Sequence, residues 1–184
     1  SSDQSPKILA EALGTDRVVS LDRNPGFGAA VALALDVTPR PDFTRDSRPE
    51  DTIEWLWFLH DDSAPDVHCL ERLLETADDN PSAAILGPKI LGWHDRRLLL
   101  EVGVAITADG RRVTGLERRE HDQGQHDGTR DVLAVSSAGM LIRRDVFEAL
   151  DGFDPALPLF RDDLDLCWRA HRMGERVLIA PSAV

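Results

Sequence analysis

Apolar positions recur at three-to-four residue spacing in some stretches of this chain and run continuously in others, a change of period that predicts helices interleaved with strands. Ile8, Leu9, Ala12 and Leu13 share one helical face behind Ser5 and Pro6, a cap and first-turn pair, and Gly14 supplies the stop. Arg17 to Leu21, with β-branched Val18 and Val19, reads as a strand before the turn residues Asp22 to Gly26. A second helix is predicted near Phe27 to Leu35, with so few polar positions that its surface should be mostly covered. Thr38 to Asp51, with Pro39, Pro41 and Pro49 among charges, reads as an exposed loop.

The next unit is the sharpest in the chain. Trp55 to Leu59 is a continuous apolar run, the pattern of a central strand buried on both faces. His60-Asp61-Asp62-Ser63 ends it, and Leu70, Leu73, Leu74 and Ala77 then specify an amphipathic helix. Short strands are predicted at Ala83 to Leu86, Leu98 to Ile106 and Val132 to Val135, around a polar insertion from Arg111 to Arg130, with a further extension at Met140 to Ile142. Arg144 to Leu150 reads as one or two helical turns. Asp162 to Met173 is a helix whose Leu164, Cys167 and Trp168 can share an apolar side, and Gly174 stops it before a last strand at Arg176 to Ala180. The fold class is therefore α/β: a mainly parallel central sheet flanked by helices, with a small antiparallel part around residues 98 to 142.

Composition narrows the function. With 33 acidic against 21 basic residues among 184, the net charge is −12, which disfavours nucleic acid as a partner. Two cysteines, Cys69 and Cys167, make no disulfide framework and no repeated metal spacing, which fits a reducing compartment. The longest strongly apolar run, Ala29 to Leu35, is far below the roughly 20 residues of a membrane helix, and no secretory signal opens the segment.

In open sheets, ligands occupy crevices beyond the carboxyl ends of strands, and Asp61 and Asp62 sit at such an end. Two adjacent carboxylates there suit Mg²⁺ or Mn²⁺, whose remaining ligands a phosphate could supply; a solvated turn with Asp66 capping the next helix is the alternative. The second acidic group, Asp162-Asp163-Leu164-Asp165, opens a helix, where Asp163 is the candidate general base and ordinary capping is the alternative. Asp165 and Arg169 are spaced to pair along that helix. Gly26 and Gly28 lack a complete dinucleotide fingerprint and read more readily as tight packing.

Taken in order, Asn24-Pro25-Gly26-Phe27-Gly28, Leu59-His60-Asp61-Asp62, Ser137 to Arg144, Gly152-Phe153-Asp154 and Asp162 to Arg169 resemble family 2 glycosyltransferases across nearly the whole chain. The resemblance implies an inverting GT-A fold that transfers a sugar from a nucleotide-diphosphate donor, with a divalent cation, at the cytoplasmic side of the cell. It makes Asp62 the metal ligand and Asp61 a donor contact, with His60 departing from an all-acidic triplet. Asp163 becomes the catalytic base and Asp162 a neighbouring acceptor or structural group, with Asp165, Arg169 and Trp168 in support. Ser137, Ala138 and Gly139 border the sugar site, and Asp3, Asn24 and Gly26 complete the donor contacts, whereas Val31 stands where the family often has asparagine.

By the same resemblance, residues 1 to 184 form a single partial catalytic domain, lacking the first donor-binding strands and a metal-site histidine that would follow Val184. The implied partners are a nucleotide-sugar donor and a glycan or lipid-linked acceptor in cell-envelope polysaccharide or glycolipid synthesis; the parent could be membrane-associated. The insertion Glu117 to Gly128, with His121 and His126, is a candidate for acceptor selection, and a flexible surface loop is the alternative. A metal-dependent phosphoester hydrolase and a noncatalytic glycan-binding or assembly module are the competing functions. The transferase reading requires the two acidic turns to meet across one cleft.

Overall fold

A computed structural model of the chain describes residues 3–38, 53–157 and 160–184. The chain divides into two compact units, Ser1–Asp42 and Phe43–Val184. The expected loop from Thr38 to Asp51 lies, beyond Thr38, outside the described residues.

In the first unit, α1 (Ser5–Leu13) carries a proline in its first turn and ends at Gly14, whose φ of 95° a Cβ would make costly. Ser5 opens this helix, and its N–H is bound by the Asp3 carboxylate. The strand expected at Arg17 to Leu21 does not form: Thr15–Arg17 is a 3₁₀ turn, and Val18 is extended without a ladder partner among the described residues. β-branched content favours extension, but a strand is a property of a pair. Helix α2 (Phe27–Val37) forms as expected, yet none of its residues is buried, and Leu33 and Val37 are exposed. The expectation that its surface is covered is thus not met within the described residues.

The second unit is built on a five-stranded sheet of β1 (Trp55–Trp57), β2 (Ala83–Pro88), β7 (Arg130–Asp131), β8 (Leu141–Arg143) and β9 (Arg176–Ala180), in the order β1-β8-β2-β9-β7. Strands β1, β2 and β9 run the same way, while β8 and β7, from the stretch expected to be antiparallel and its flank, run against them. Because β8 separates β1 from β2, the β2–β9 ladder is the parallel one of the four. The parallel share of the pairing is therefore smaller than the sequence pattern suggested.

Strand β2 is buried at every position. Leu86, Leu141 and Leu178 lie in register and join Cys69, Leu73 and Ala77 of α3 (Cys69–Asp79) in one cluster. By strand alternation Ile85, Ile142 and Val177 point to the other face, where they are equally buried. Helix α4 (Arg144–Ala149) packs on β8, and α5 (Asp162–Arg172) on β9. The buried face of α5 is Leu166, Cys167 and Ala170; Trp168, expected on the apolar side, is 45% exposed. The tryptophan strand also differs from expectation. It stands at one end of the described sheet, half-buried rather than covered on both faces, although Trp55 and Trp57 still pack on the core cluster.

Two small hairpins complete this unit: β3 (Ile90–Leu91) with β4 (Leu99–Glu101), and β5 (Ala105–Ile106) with β6 (Arg112–Val113). The strand expected over Leu98 to Ile106 is broken at Gly103, φ 87°, where an added Cβ would lie 2.5 Å from Val132 Cγ1. The strand expected over Val132 to Val135 reduces to one bridge, Val104 to Ala134, with the ladder shifted back to β7.

Candidate functional site

The antiparallel ladder Trp57↔Leu141 sets the end of β1 beside the start of β8. Phe58 N–H donates to Met140 O at 2.8 Å, and Trp57 Nε1–H to Gly139 O at 3.2 Å. Strand β2 also meets β8 antiparallel, so its end at Pro88 reaches the same place. A Cβ on Gly139 would sit 2.5 Å from Pro88 Cγ, and only a glycine tolerates that approach without a shift. The ends of β1, β2 and β9 and the turn Ser136–Gly139 thereby converge at one edge of the sheet, as expected for an α/β site.

The acidic turn after β1 is closed locally. Ser63 Oγ donates to His60 O at 2.9 Å and accepts His60 N–H at 3.2 Å. His60 is a bridge: its Nε2 and Ser137 Oγ share a hydrogen bond of 2.9 Å, tying this turn to Ser136–Gly139. Asp61 and Asp62 stay exposed. Asp62 lines a cleft of about 260 Å³ with Ser63, Pro65, Pro88, Lys89, Trp93, Arg96, Ala138 and Gly139.

The second acidic turn is held from inside. Asp162 is 8% exposed and its Oδ1 accepts Asp163 N–H, while Asp163 Oδ1 accepts Leu164 N–H at 2.7 Å. Burial, followed by the neighbouring charge of Asp163, pushes the Asp162 carboxyl above the usual carboxylate range, against the pull of the Asp163 N–H and of His60. Asp165 and Arg169 form the pair expected from their spacing, 2.7 Å, and the Arg169 guanidinium also binds Leu150 O and Gly152 O. That locks the Gly152-Phe153 turn, whose Phe153 packs tilted against Phe58 and edge-on to Phe147. Cys167 is buried and its thiol is pushed up to about 12, so it is no nucleophile.

Asp163 does not line the cleft that Asp62 lines. The Ser136–Gly139 turn is tied to the first of these turns: its Ala138 and Gly139 face the cleft while Ser137 holds His60. Of the other expected donor residues, Asp3, Asn24 and Gly26 belong to the first unit. There Asn24 Oδ1 accepts Gly26 N–H at 2.9 Å, and Gly26, φ 91°, opens α2.

Two charged residues emerge that sequence reasoning did not single out. Lys89 is 3% exposed, and its Nζ donates to Asp122 at 2.8 Å and Asp127 at 2.6 Å, so the insertion is tied to the cleft wall rather than loose. Asp122 N–H to Arg97 O and Leu99 N–H to Glu120 O add backbone ties. The second is Glu101, 5% exposed, which binds Ser136 N–H through Oε1 at 2.9 Å and Arg112 through Oε2. The available signal was a lone carboxylate inside the apolar run from Leu98 to Ile106.

Among the described residues no three His, Cys, Asp or Glu side chains gather as a metal cage. Asp61 and Asp62 are nevertheless hard oxygen donors, and one or two carboxylates completed by phosphate and water is the ordinary composition of a Mg²⁺ site at a nucleotide. The residues present fit such an open site.

Helices covering a mixed sheet, with carboxylate turns at the strand ends, make this the fold of a GT-A glycosyltransferase. It is shared with the crystal structure of GalNAc-T7 with UDP, GalNAc and Mn²⁺, at a TM-score of 0.64 and 13% identity, over 99% of this chain and 34% of that one. The chain belongs to the family described as glycosyltransferase like family 2, which it matches over residues 7–184. It is also 40% identical over 131 residues to the O-antigen biosynthesis protein RfbC of Myxococcus xanthus, covering 68% of this chain and 10% of RfbC. The chain thus spans a minor part of both relatives.

Proposed function

We propose that this chain is the catalytic part of an inverting glycosyltransferase that moves a sugar from a nucleotide-diphosphate donor to an acceptor hydroxyl, in the synthesis of a cell-envelope polysaccharide or glycolipid. The observation that carries the reading is the His60–Ser137 hydrogen bond, which couples the exposed Asp61-Asp62 turn to the Ser136–Gly139 turn. Family membership and the O-antigen role in RfbC's name support the sugar-polymer assignment.

In this reading the donor diphosphate lies by Asp62 and Asp61, and the transferred sugar by Ser137, Ala138 and Gly139. Asp62 would hold a Mg²⁺ or Mn²⁺, which would supply positive charge for the departing diphosphate. The acceptor oxygen attacks the anomeric carbon as the bond to the diphosphate oxygen breaks, and the hydroxyl proton passes to Asp163. Because Asp163 Oδ1 accepts the Leu164 N–H, Oδ2 is the oxygen placed to take that proton. A single displacement inverts the anomeric configuration. The acceptor is a glycan or lipid-linked glycan. No helix among the described residues is long and apolar enough to cross a membrane, and the proposed place of action is the cytoplasmic face.

The test is a screen of nucleotide sugars and glycan acceptors with the full-length protein, reading the anomeric configuration of the product by NMR. An inverted linkage supports the proposal. A retained linkage removes the single-displacement mechanism, and release of free sugar with acceptors present favours a hydrolase.

A further inference from the structure

Glu101 is a carboxylate in a place where an apolar side chain would serve the fold better. It ends β4, whose Leu99 and Glu101 are buried while Leu100 is exposed. Burying an acid is costly unless it is paired and hydrogen-bonded, and such pairs are weak contributors to stability. Its partners place it at the site. Oε1 holds the N–H of Ser136, the first residue of the turn that borders the cleft. Oε2 is bound by Arg112, from β6, which is 41% exposed and so screened by water.

Helix α5 approaches the same turn from the other direction. Cys167 is fully buried with its thiol against the Val135 backbone, next to Ser136. Asp163 lies four residues earlier on the same helix, near enough for its charge to act on Glu101. We propose, building on the transferase reading above, that Glu101 is a positioning residue: it holds the Ser136–Gly139 turn, which borders the cleft, within reach of the Asp163 charge. Glu101 touches no reacting atom. The acceptor's proton goes to Asp163, and Glu101 keeps its own state through the displacement.

Burial is the first cause that raises the Glu101 carboxyl, and the Asp163 charge adds to it, against Arg112 and the Ser136 N–H. The charged groups facing Glu101 are thus Arg112 of β6 and Asp163 of α5.

The experiment uses the full-length protein, labelled with ¹³C at glutamate Cδ, as wild type, Glu101→Gln and Asp163→Asn. The Glu101 signal, identified by its loss in Glu101→Gln, is expected to titrate above ordinary glutamate and to move down in Asp163→Asn. In turnover, Glu101→Gln keeps an oxygen for the Ser136 N–H but loses the charge. It is expected to lose kcat about tenfold, the size of coupling between contacting groups, with donor KM held. An unmoved Glu101 midpoint in Asp163→Asn, or wild-type kcat in Glu101→Gln, overturns the proposal. Wild-type protein that transfers no sugar to any acceptor overturns the transferase reading instead, and the titration arm still decides whether Glu101 feels the Asp163 charge.

Discussion

The two acidic turns carry similar residues and are built on opposite plans. Asp61 and Asp62 follow a strand, stay exposed and hold their shape through Ser63 and His60, which leaves Asp62 open to whatever enters the cleft it lines. Asp162 and Asp163 begin a helix, bind backbone N–H groups of their own turn, and in Asp162 the burial is deep enough to hold the proton more tightly than usual. The difference teaches that identical chemistry in the sequence acquires different roles from its surroundings. An open pair of carboxylates suits a cation and a phosphate from outside, whereas a carboxylate oriented by a helix start suits a single directed proton transfer.

Substitutions sharpen that contrast, and the largest effect is expected at the helix. Asp163→Asn should cut sugar transfer by roughly 10²–10⁴-fold, the usual contribution of a positioned base, with donor affinity retained in calorimetry. Transfer at the wild-type rate would remove the base. Asp62→Asn should behave in the opposite way, losing several kcal/mol of cation-supported binding, or about a hundredfold in donor affinity at fixed Mg²⁺ or Mn²⁺. Adding a chelator to the wild type should reproduce it, and equal donor binding with and without the cation would break the assignment.

A smaller effect tests the turn that is bonded to the first of them. Gly139→Ala drives a Cβ to within 2.5 Å of Pro88 Cγ, and overpacking of this kind costs about 1–3 kcal/mol in denaturant unfolding. Both donor binding and transfer should fall with it, because the turn lines the cleft with Asp62 and is bonded to His60.

The smallest expected effect is on pH-dependent stability. Asp162 has a raised folded pKa, so its contribution is fully present below the ordinary aspartate value and is lost as pH rises through the folded value. Asp162→Asn should therefore be as stable as wild type in acid and slightly more stable at neutral pH. Thermal unfolding at both pH values reads the difference, and a neutral-pH loss of stability would show that the carboxylate charge supports the fold.

Much of the second unit was legible before its structure. Helix α3 follows from its spacing, and β9 and the stop at Gly174 are local signals that the fold did not overrule. The Asp165–Arg169 pair follows from helix geometry alone. Where the reading failed, the cause was a neighbour. The apolar run at Trp55 predicts burial but cannot say how many strands flank it, and β1 has a ladder partner on one side among the described residues. Arg17 to Leu21 has strand-forming residues and no partner to make it a strand. The insertion reads as loose because its charges look solvated, until Lys89 binds two of them at once.

The sequence by itself determined which segments are helices, which residues carry acid, and the order of motifs that marks the family, because these depend on contacts within a few residues. Only the tertiary structure decided that His60 bonds to Ser137, that Glu101 is buried between Ser136 and Arg112, and that Asp62 lines the cleft while Asp163 does not. Those relations span strands far apart in the chain, and the register of a ladder, which no local pattern encodes, brings them together.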